Sequence, residues 1–359
     1  MSVVPATNGA PDAVATPSTP TVHPLSEVDG EAWDRFVRAT PQASFFHLAG
    51  WRRIIERVCG HRTHYLYAAR GSEIVGVLPL AELKSRLFGH SLISTPFCVY
   101  GGVAAVDGEA RTMLEEHARR LADALRVDYL ELRNVNASQG EWAGKELYVT
   151  FRKQISTEDD ANMKAVPRKQ RAMIRKGIDA GLASVVNRDV GPFYDMYAVS
   201  VRNLGTPVLA GRFFAALLEE FGDAADILTV TSGGKPVSSV LSFYFRDEVL
   251  PYYGGGTSEA RDLKANDYMY WELMRHAVQR GATLFDFGRS KLGTGSFSFK
   301  KNWGFAPQKL EYQYHLVRAP KVPDLSPLNP KYQAMIATWK RLPVPLTRMI
   351  GPFVARYLG

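Results

Sequence analysis

Cysteine is nearly absent from this chain, with two residues, Cys59 and Cys98, in 359. A disulfide framework and a cysteine-built metal site are thereby excluded, and the pair fits a reducing compartment, with both thiols read as buried packing residues. No stretch approaches the ~18 consecutive apolar residues of a membrane span. Residues 1–24 are Ala, Thr, Pro, Ser and Val without periodicity, and lack a basic n-region, an apolar h-region and transit-peptide arginines. They read as a disordered tail on a cytoplasmic protein. Familiar catalytic patterns are missing too: there is no GxSxG, no Walker loop, no HExxH and no CxxC pair. His61 and His64 stand in the wrong context for a metal site, and no metal is expected.

Acid is also scarce in places. Lys and Arg outnumber Asp and Glu 44 to 36, and the excess is uneven. KAVPRKQRAMIRKG, residues 164–177, carries no carboxylate. Pro167 suits the first turn of a helix that sets Arg168, Arg171 and Arg175 on one face. Two readings are open: a solvated helix between two units, or a phosphate-binding surface. The last residues, PVPLTRMIGPFVARYLG, are likewise apolar and basic. They pack on the second unit or lie against an anionic inner-membrane surface.

What is present centres on residues 251–305. A strand ends in PYYGGG and a polar loop carries Arg261, Asp262 and Lys264. A helix is predicted over 266–280, with Asn266 or Asp267 as N-cap and Gly281 as its stop. The strand TLFDFGRS and the segment FSFKKNWGF follow. Asp286 sits in a hydrophobic strand, where an unpaired carboxylate is costly, so it is paired or functional. Arg289, Lys291 and Lys300 are its nearby candidate partners. GGGTSEAR lies between a strand and a helix N-terminus, a setting that favours an anion, so Gly254, Gly255 and Gly256 either approach a ligand or form a bulged strand end. Arg202, in the break RNLGTP between two helical stretches, is either a cleft residue or part of a plain turn.

The same order of elements occurs upstream. Tyr100-Gly101-Gly102, a helix and the strand YLELRN with Glu131 match Tyr253-Gly254-Gly255, a helix and the strand with Asp286. Hairpins turning at 70–72 and at Gly233-Gly234 precede each copy, and helical stretches at 44–58 and 213–221 precede the hairpins. The chain is therefore read as two tandem α/β (α+β) units, each a mixed sheet flanked by helices. The boundaries are a tail (1–24), a first domain (25–160), a second domain with the site (161–318) and a Pro-rich segment with a C-terminal helix (319–359).

PYYGGG, ANDYMYWELM, FDFGRSK and FKKNWGF, with PRKQRAMIRKG and RNLGTPV before them, resemble the FemAB-type family associated with exosortase A and PEP-CTERM systems. The resemblance runs from about residue 27 through NPKY and WKRLP. More broadly the second unit is similar to FemABX peptidyltransferases and BioF2-like acetyltransferases. This implies two tandem GNAT-like domains and transfer of an aminoacyl or acyl group to an amine on a cell-envelope or exopolysaccharide precursor. It places Lys300 at a lysine associated with substrate or donor binding, and DFGRS beside the acceptor cleft. The implied donor is aminoacyl-tRNA or acyl-CoA, with no permanently bound cofactor. FemA's coiled-coil arm and the coenzyme A loop of typical GNAT enzymes have no counterpart here.

Acyl transfer to an amine needs a neutral nucleophile, a route for its proton and stabilisation of an oxyanion. The expected roles are Asp286 for the acceptor amine, Lys300 and Arg289 for negative charge, and Tyr252 or Tyr253 as proton donor. At most one of these tyrosines is expected to face the cleft, because strand neighbours alternate. Glu131 and Arg133, at the repeat-related positions, are expected to be structural. Two other function classes remain open: a non-catalytic module that presents an envelope precursor, and a nucleic-acid-binding protein resting on 164–176. Transfer RNA is a candidate partner and DNA is not expected.

Overall fold

Alternating apolar residues in ILTVTS and VSSVLSFYF produce the antiparallel hairpin Ala225–Ser232 and Lys235–Phe245. It turns at Gly233 and Gly234, with φ of 54° and 78°, values that a residue with a Cβ resists. The computed structural model describes residues 19–26, 29–135, 142–145, 147–323 and 330–358. Around this hairpin the second sheet runs in the order Ala183–Asn187, Ala225–Ser232, Lys235–Phe245, Glu248–Gly256, Leu284–Asp286, Tyr148–Gln154 and Ser290–Lys291. Pro307–Lys309 also pairs with Tyr148–Gln154.

Within this sheet Glu248–Gly256 and Leu284–Asp286 are parallel neighbours, but they pair only at Glu248 with Leu284 and at Val249 with Phe285. Beyond that point the strands part. The helix Ala265–Gln279 joins them, as a parallel connection requires. The first unit repeats the arrangement: Gly89–Ser94 pairs in parallel with Tyr129–Asn134, and the helix Gly108–Leu125 lies between them. The duplication read from the sequence is thus a duplication of topology. One difference is that the strand leaving the first hairpin breaks at Pro79 and continues as Leu80–Ser85 in another sheet.

Two strands are exchanged between the halves. Tyr148–Gln154, N-terminal to the expected boundary at 160, lies in the second sheet beside Asp286. Glu311–Leu316, expected within the second domain, pairs with Tyr129–Asn134 in the first. A boundary drawn at one position in the sequence therefore does not describe the fold. The tail also needs correction. Residues 1–18 lie outside the described residues, but Thr21–Pro24 forms an edge strand on Leu66–Arg70, and Leu25 N–H continues the pairing to the Tyr65 carbonyl at 2.8 Å.

The two halves share one apolar core. Phe45, Phe46 and Trp51 of the first pack on Phe243 of the second, with ring centroids 4.4, 6.3 and 5.8 Å away. All four are essentially unexposed, and exposing each would cost roughly 2–3 kcal/mol. The predicted helical stretch at 44–58 is realised as a broken one: a short turn at Phe45–His47, one α-turn at Gly50–Arg53 and a wide turn at Ile54–Cys59. Both cysteines are buried and free, as expected. The C-terminal helices Pro330–Arg341 and Val344–Ala355 pack on Val190–Leu204. Among the described residues no helix is long and apolar enough to cross a membrane.

The glycine run at the strand end has a packing cause. A Cβ on Gly255 would lie 2.7 Å from the Met196 carbonyl oxygen and 2.8 Å from Tyr197 Cα, both backbone atoms of the helix crossing the sheet. Gly255→Ala is expected to lower stability by about 1–3 kcal/mol, because a helix backbone cannot yield as a side chain can. Urea denaturation of the variant beside the parent measures it, and an unchanged midpoint would contradict the close approach.

Candidate active site

Asp286 stands at the centre of the second sheet with no exposed surface. Four groups satisfy it. Tyr100 Oη–H donates to Oδ2 at 2.9 Å, Thr150 Oγ1–H to Oδ1 at 3.2 Å and the Gly288 N–H to Oδ1 at 2.7 Å. Arg152 Nε lies 3.3 Å from Oδ2. Of the partners expected from the sequence, Lys300 acts on Asp286 through its charge, but the ion-pair partner is Arg152, which stands in register with Asp286 on the neighbouring strand. Arg152 also pairs with Glu248, so one guanidinium serves two carboxylates. Burial pushes the Asp286 carboxyl above its ordinary range, and Arg152, the Gly288 amide and Tyr100 pull it back. Burial raises Glu248 as well, against Arg152.

Lys300 approaches from the helix Gly295–Asn302, whose N-cap Thr294 accepts from the Phe297 N–H. Its ammonium donates to the Gly288 and Arg289 carbonyls, each at 3.0 Å. These take two of its three N–H groups and leave one. Burial lowers its pKa to about 8, helped by Arg289 and opposed by the charge of Asp286. Lys300 therefore carries its proton at neutral pH and titrates just above it. Its neighbour Lys301 is exposed.

The remaining expected site residues separate into three places. Arg289 turns away from Asp286: Nη1 donates to Tyr312 Oη at 3.0 Å and the guanidinium lies 4.5 Å from the Tyr148 ring centroid. Lys291 follows it over the same ring at 5.6 Å. Tyr252 is the extra residue of a bulge, since Leu241 pairs with Tyr253 while Ser242 pairs with Pro251. The bulge breaks the expected alternation. Both tyrosine rings lie in the shared core with centroids 4.7 Å apart. Tyr252 Oη donates to the Phe97 carbonyl at 2.9 Å, while the buried Tyr253 hydroxyl has no partner among the described residues.

Farther off, at the strand-to-helix junction, Gly256 is packed by Ala260 and Val237, whereas Gly254 meets nothing closer than 3.6 Å. Thr257 Oγ1 is buried there without a partner among the described residues, Arg261 is exposed, and Lys264 (φ 58°) is the N-cap in place of the expected Asn266 or Asp267. Asp267 is instead buried and accepts from Gln170 of the basic helix Arg168–Asp179 and from Trp303 Nε1. This contact sets the start of the basic helix beside the start of Ala265–Gln279. Arg168 and Arg175 are exposed and Arg171 is half-buried. Arg202 belongs elsewhere, donating to the Lys340 carbonyl at 3.1 Å. In the first unit Glu131 and Arg133 form a buried pair at 2.8 Å, and Arg133 also holds the Cys98 carbonyl.

A polar cavity of about 160 Å³ between the units is lined by His47, Tyr100, Arg133, Asn134, Arg152 and Glu248 among others. Asp286 does not line it, and Tyr100 and Arg152 stand between. Burial lowers the His47 pKa to about 4. Nδ1 accepts the Ser44 N–H, which leaves the neutral ring to donate from Nε2 to the Gly102 carbonyl at 2.9 Å. His47 and Arg152 escape sequence reasoning, since His47 is a lone polar residue in an apolar segment and Arg152 opens the polar run RKQ. The Tyr-Gly-Gly repeat could have pointed to Tyr100.

Parallel strands joined by a helix are thus present twice, and comparison with known proteins bears on the fold they build. The crystal structure of FemX aligns over 88% of this chain and 100% of its own, with a TM-score of 0.63 and 15% identity. A tandem GNAT protein from the clavulanic acid biosynthesis pathway aligns over 85% and 100%, with a TM-score of 0.52 and 14% identity. The fold is that of two tandem GNAT domains. Residues 167–301, from the basic helix through Lys300, match the family model described as Acetyltransferase (GNAT) domain. In sequence, a lipid II:glycine glycyltransferase of Staphylococcus haemolyticus is 28% identical over 108 residues. The match covers 28% of this chain and 26% of that protein, so this chain spans about a quarter of the length of the relative.

Proposed function

We propose that the chain is a FemAB-like N-acyltransferase that moves an aminoacyl or acyl group onto an amine of a cell-envelope precursor. The observation that carries this reading is Lys300: inside the matched acyltransferase domain, a partly buried ammonium held by two carbonyls keeps one N–H uncommitted. In the reaction the amine nitrogen bonds to the donor carbonyl, the carbonyl–oxygen or carbonyl–sulfur bond breaks, and the amine proton passes to the leaving group. Lys300 supplies charge to the oxyanion formed between these events. Asp286 holds the Tyr100 hydroxyl and the Gly288 turn beside Lys300. The basic helix, Arg261 and the strand-to-helix junction receive the donor's phosphates. Glycyl transfer by the Staphylococcus haemolyticus relative favours aminoacyl-tRNA, and the GNAT fold favours acyl-CoA. The sequence resemblance favours an acceptor in an exosortase-type polysaccharide system.

One observation favours a second reading. All four approaches to Asp286 are occupied by protein groups, which suits a non-catalytic module that presents a precursor. The experiment that separates the readings is binding of labelled aminoacyl-tRNA to the full chain at physiological salt with acyl-CoA as competitor, followed by turnover with a small amine. Binding of tRNA that excess acyl-CoA leaves in place, with turnover, supports aminoacyl transfer. Acyl-CoA binding with turnover supports the acetyltransferase form, and absence of turnover with either donor supports the module.

A further inference from the structure

The helix Val344–Ala355 has two opposed rows. Thr347, Gly351 and Ala355, four residues apart, are buried against the second unit, and a Cβ on Gly351 would lie 3.0 Å from the Val208 backbone. Leu346, Met349 and Phe353 fall on the other side of the same helix and are 36%, 63% and 71% exposed. A helix that faces water carries polar residues on its outer row, and this one carries three large apolar side chains. The apolar surface continues past the helix end. Tyr357 stacks on Phe88 of the first unit at 6.3 Å, and beside them Leu358 and Leu87 are 41% and 80% exposed.

The segment that carries this face is basic in sequence. Residues 325–359 contain five Lys and Arg and no Asp or Glu, and the exposed Lys84 and Arg86 flank Leu87 in the hairpin turn. Of these cations, Arg348 is paired with Asp195 at 2.6 Å. Twelve residues are too few to cross a bilayer, so a helix of this kind lies in the interface plane. We propose that this face rests on an anionic phospholipid surface, with Leu346, Met349 and Phe353 entering the headgroup boundary and the surrounding cations against the phosphates. The assignment stands apart from the chemistry of the second unit.

Vesicle sedimentation of the full chain tests it. The protein pellets with vesicles of phosphatidylglycerol and phosphatidylethanolamine and stays in solution with phosphatidylcholine alone. Met349→Ser with Phe353→Ser lowers the partition by about tenfold or more without changing the melting temperature, because both side chains are already in water. Lys84→Glu with Arg86→Glu lowers it several-fold and added salt does the same. Equal pelleting of the double serine variant, or equal pelleting with phosphatidylcholine, overturns the proposal. So does a dimer in sedimentation velocity that the serine variant dissociates, which would give the face to a second copy of the chain.

Discussion

Lys300→Ala is expected to lower turnover of an amine acceptor by about 10²- to 10³-fold, the scale of losing one charged donor to a tetrahedral oxyanion. Donor binding should change far less, because the cations proposed to receive the donor's phosphates lie on other elements. The pH profile adds a second readout. With the Lys300 pKa lowered to about 8, the charged form that the oxyanion needs is lost above that value, and kcat/KM should fall there. A rate that rises through pH 8 would instead make the neutral amine a base and would sink the oxyanion role. Stability moves the other way. The unfolded chain keeps the lysine protonated to about 10.5, so between about 8 and 10.5 the unfolded state binds more protons than the native state. The native state should therefore gain stability from this residue as pH rises across that window. Lys300→Ala should flatten the rise, measured as the difference in unfolding free energy between the two proteins at pH 7.5 and pH 10.

Asp286→Ala should destabilise the protein by about 3–5 kcal/mol, the range for removing one partner of a buried ion pair. Tyr100, Thr150 and the Gly288 N–H would lose their acceptor together, and Arg152 would keep only Glu248. Asp286→Asn retains an acceptor for the Gly288 N–H and should cost clearly less. Urea midpoints of the two variants rank them, and an alanine variant as stable as the asparagine one would mean that the network around Asp286 carries little energy. If Asp286→Asn folds and keeps full transfer activity, the carboxylate serves the fold and not the acceptor.

The strands, helices and duplication were legible because each is written in local periodicity. TLFDFGRS alternates, ANDYMYWELM recurs at helical spacing, and both are found where those patterns place them. Local pattern carries no record of which strand lies beside which. The partner of Asp286 is Arg152, from a strand well over a hundred residues upstream in YVTFRKQ, where nothing marks the arginine as anything but a surface residue. The same limit hid the cavity, whose lining comes from segments of both units. Alternation also misled at Tyr252 and Tyr253, where a bulged residue breaks the period of two. At Lys264 the sequence offers better capping residues two and three positions later. The chain uses the left-handed lysine because Asp267 is committed to Gln170 and Trp303. That commitment is tertiary and has no local trace.

The strand exchange bears on synthesis. As the chain leaves the ribosome, Tyr129–Asn134 emerges with its edge open and must wait for Glu311–Leu316. At ordinary elongation rates the wait is on the order of ten seconds or more. Leu130 and Leu132 share a core with Leu114 and Ala118, which precede them, so what stays open through that interval is the backbone edge of the strand. Neither half can close its sheet until the final quarter of the chain has emerged, so the nascent protein should depend on chaperones for longer than a string of independent domains would.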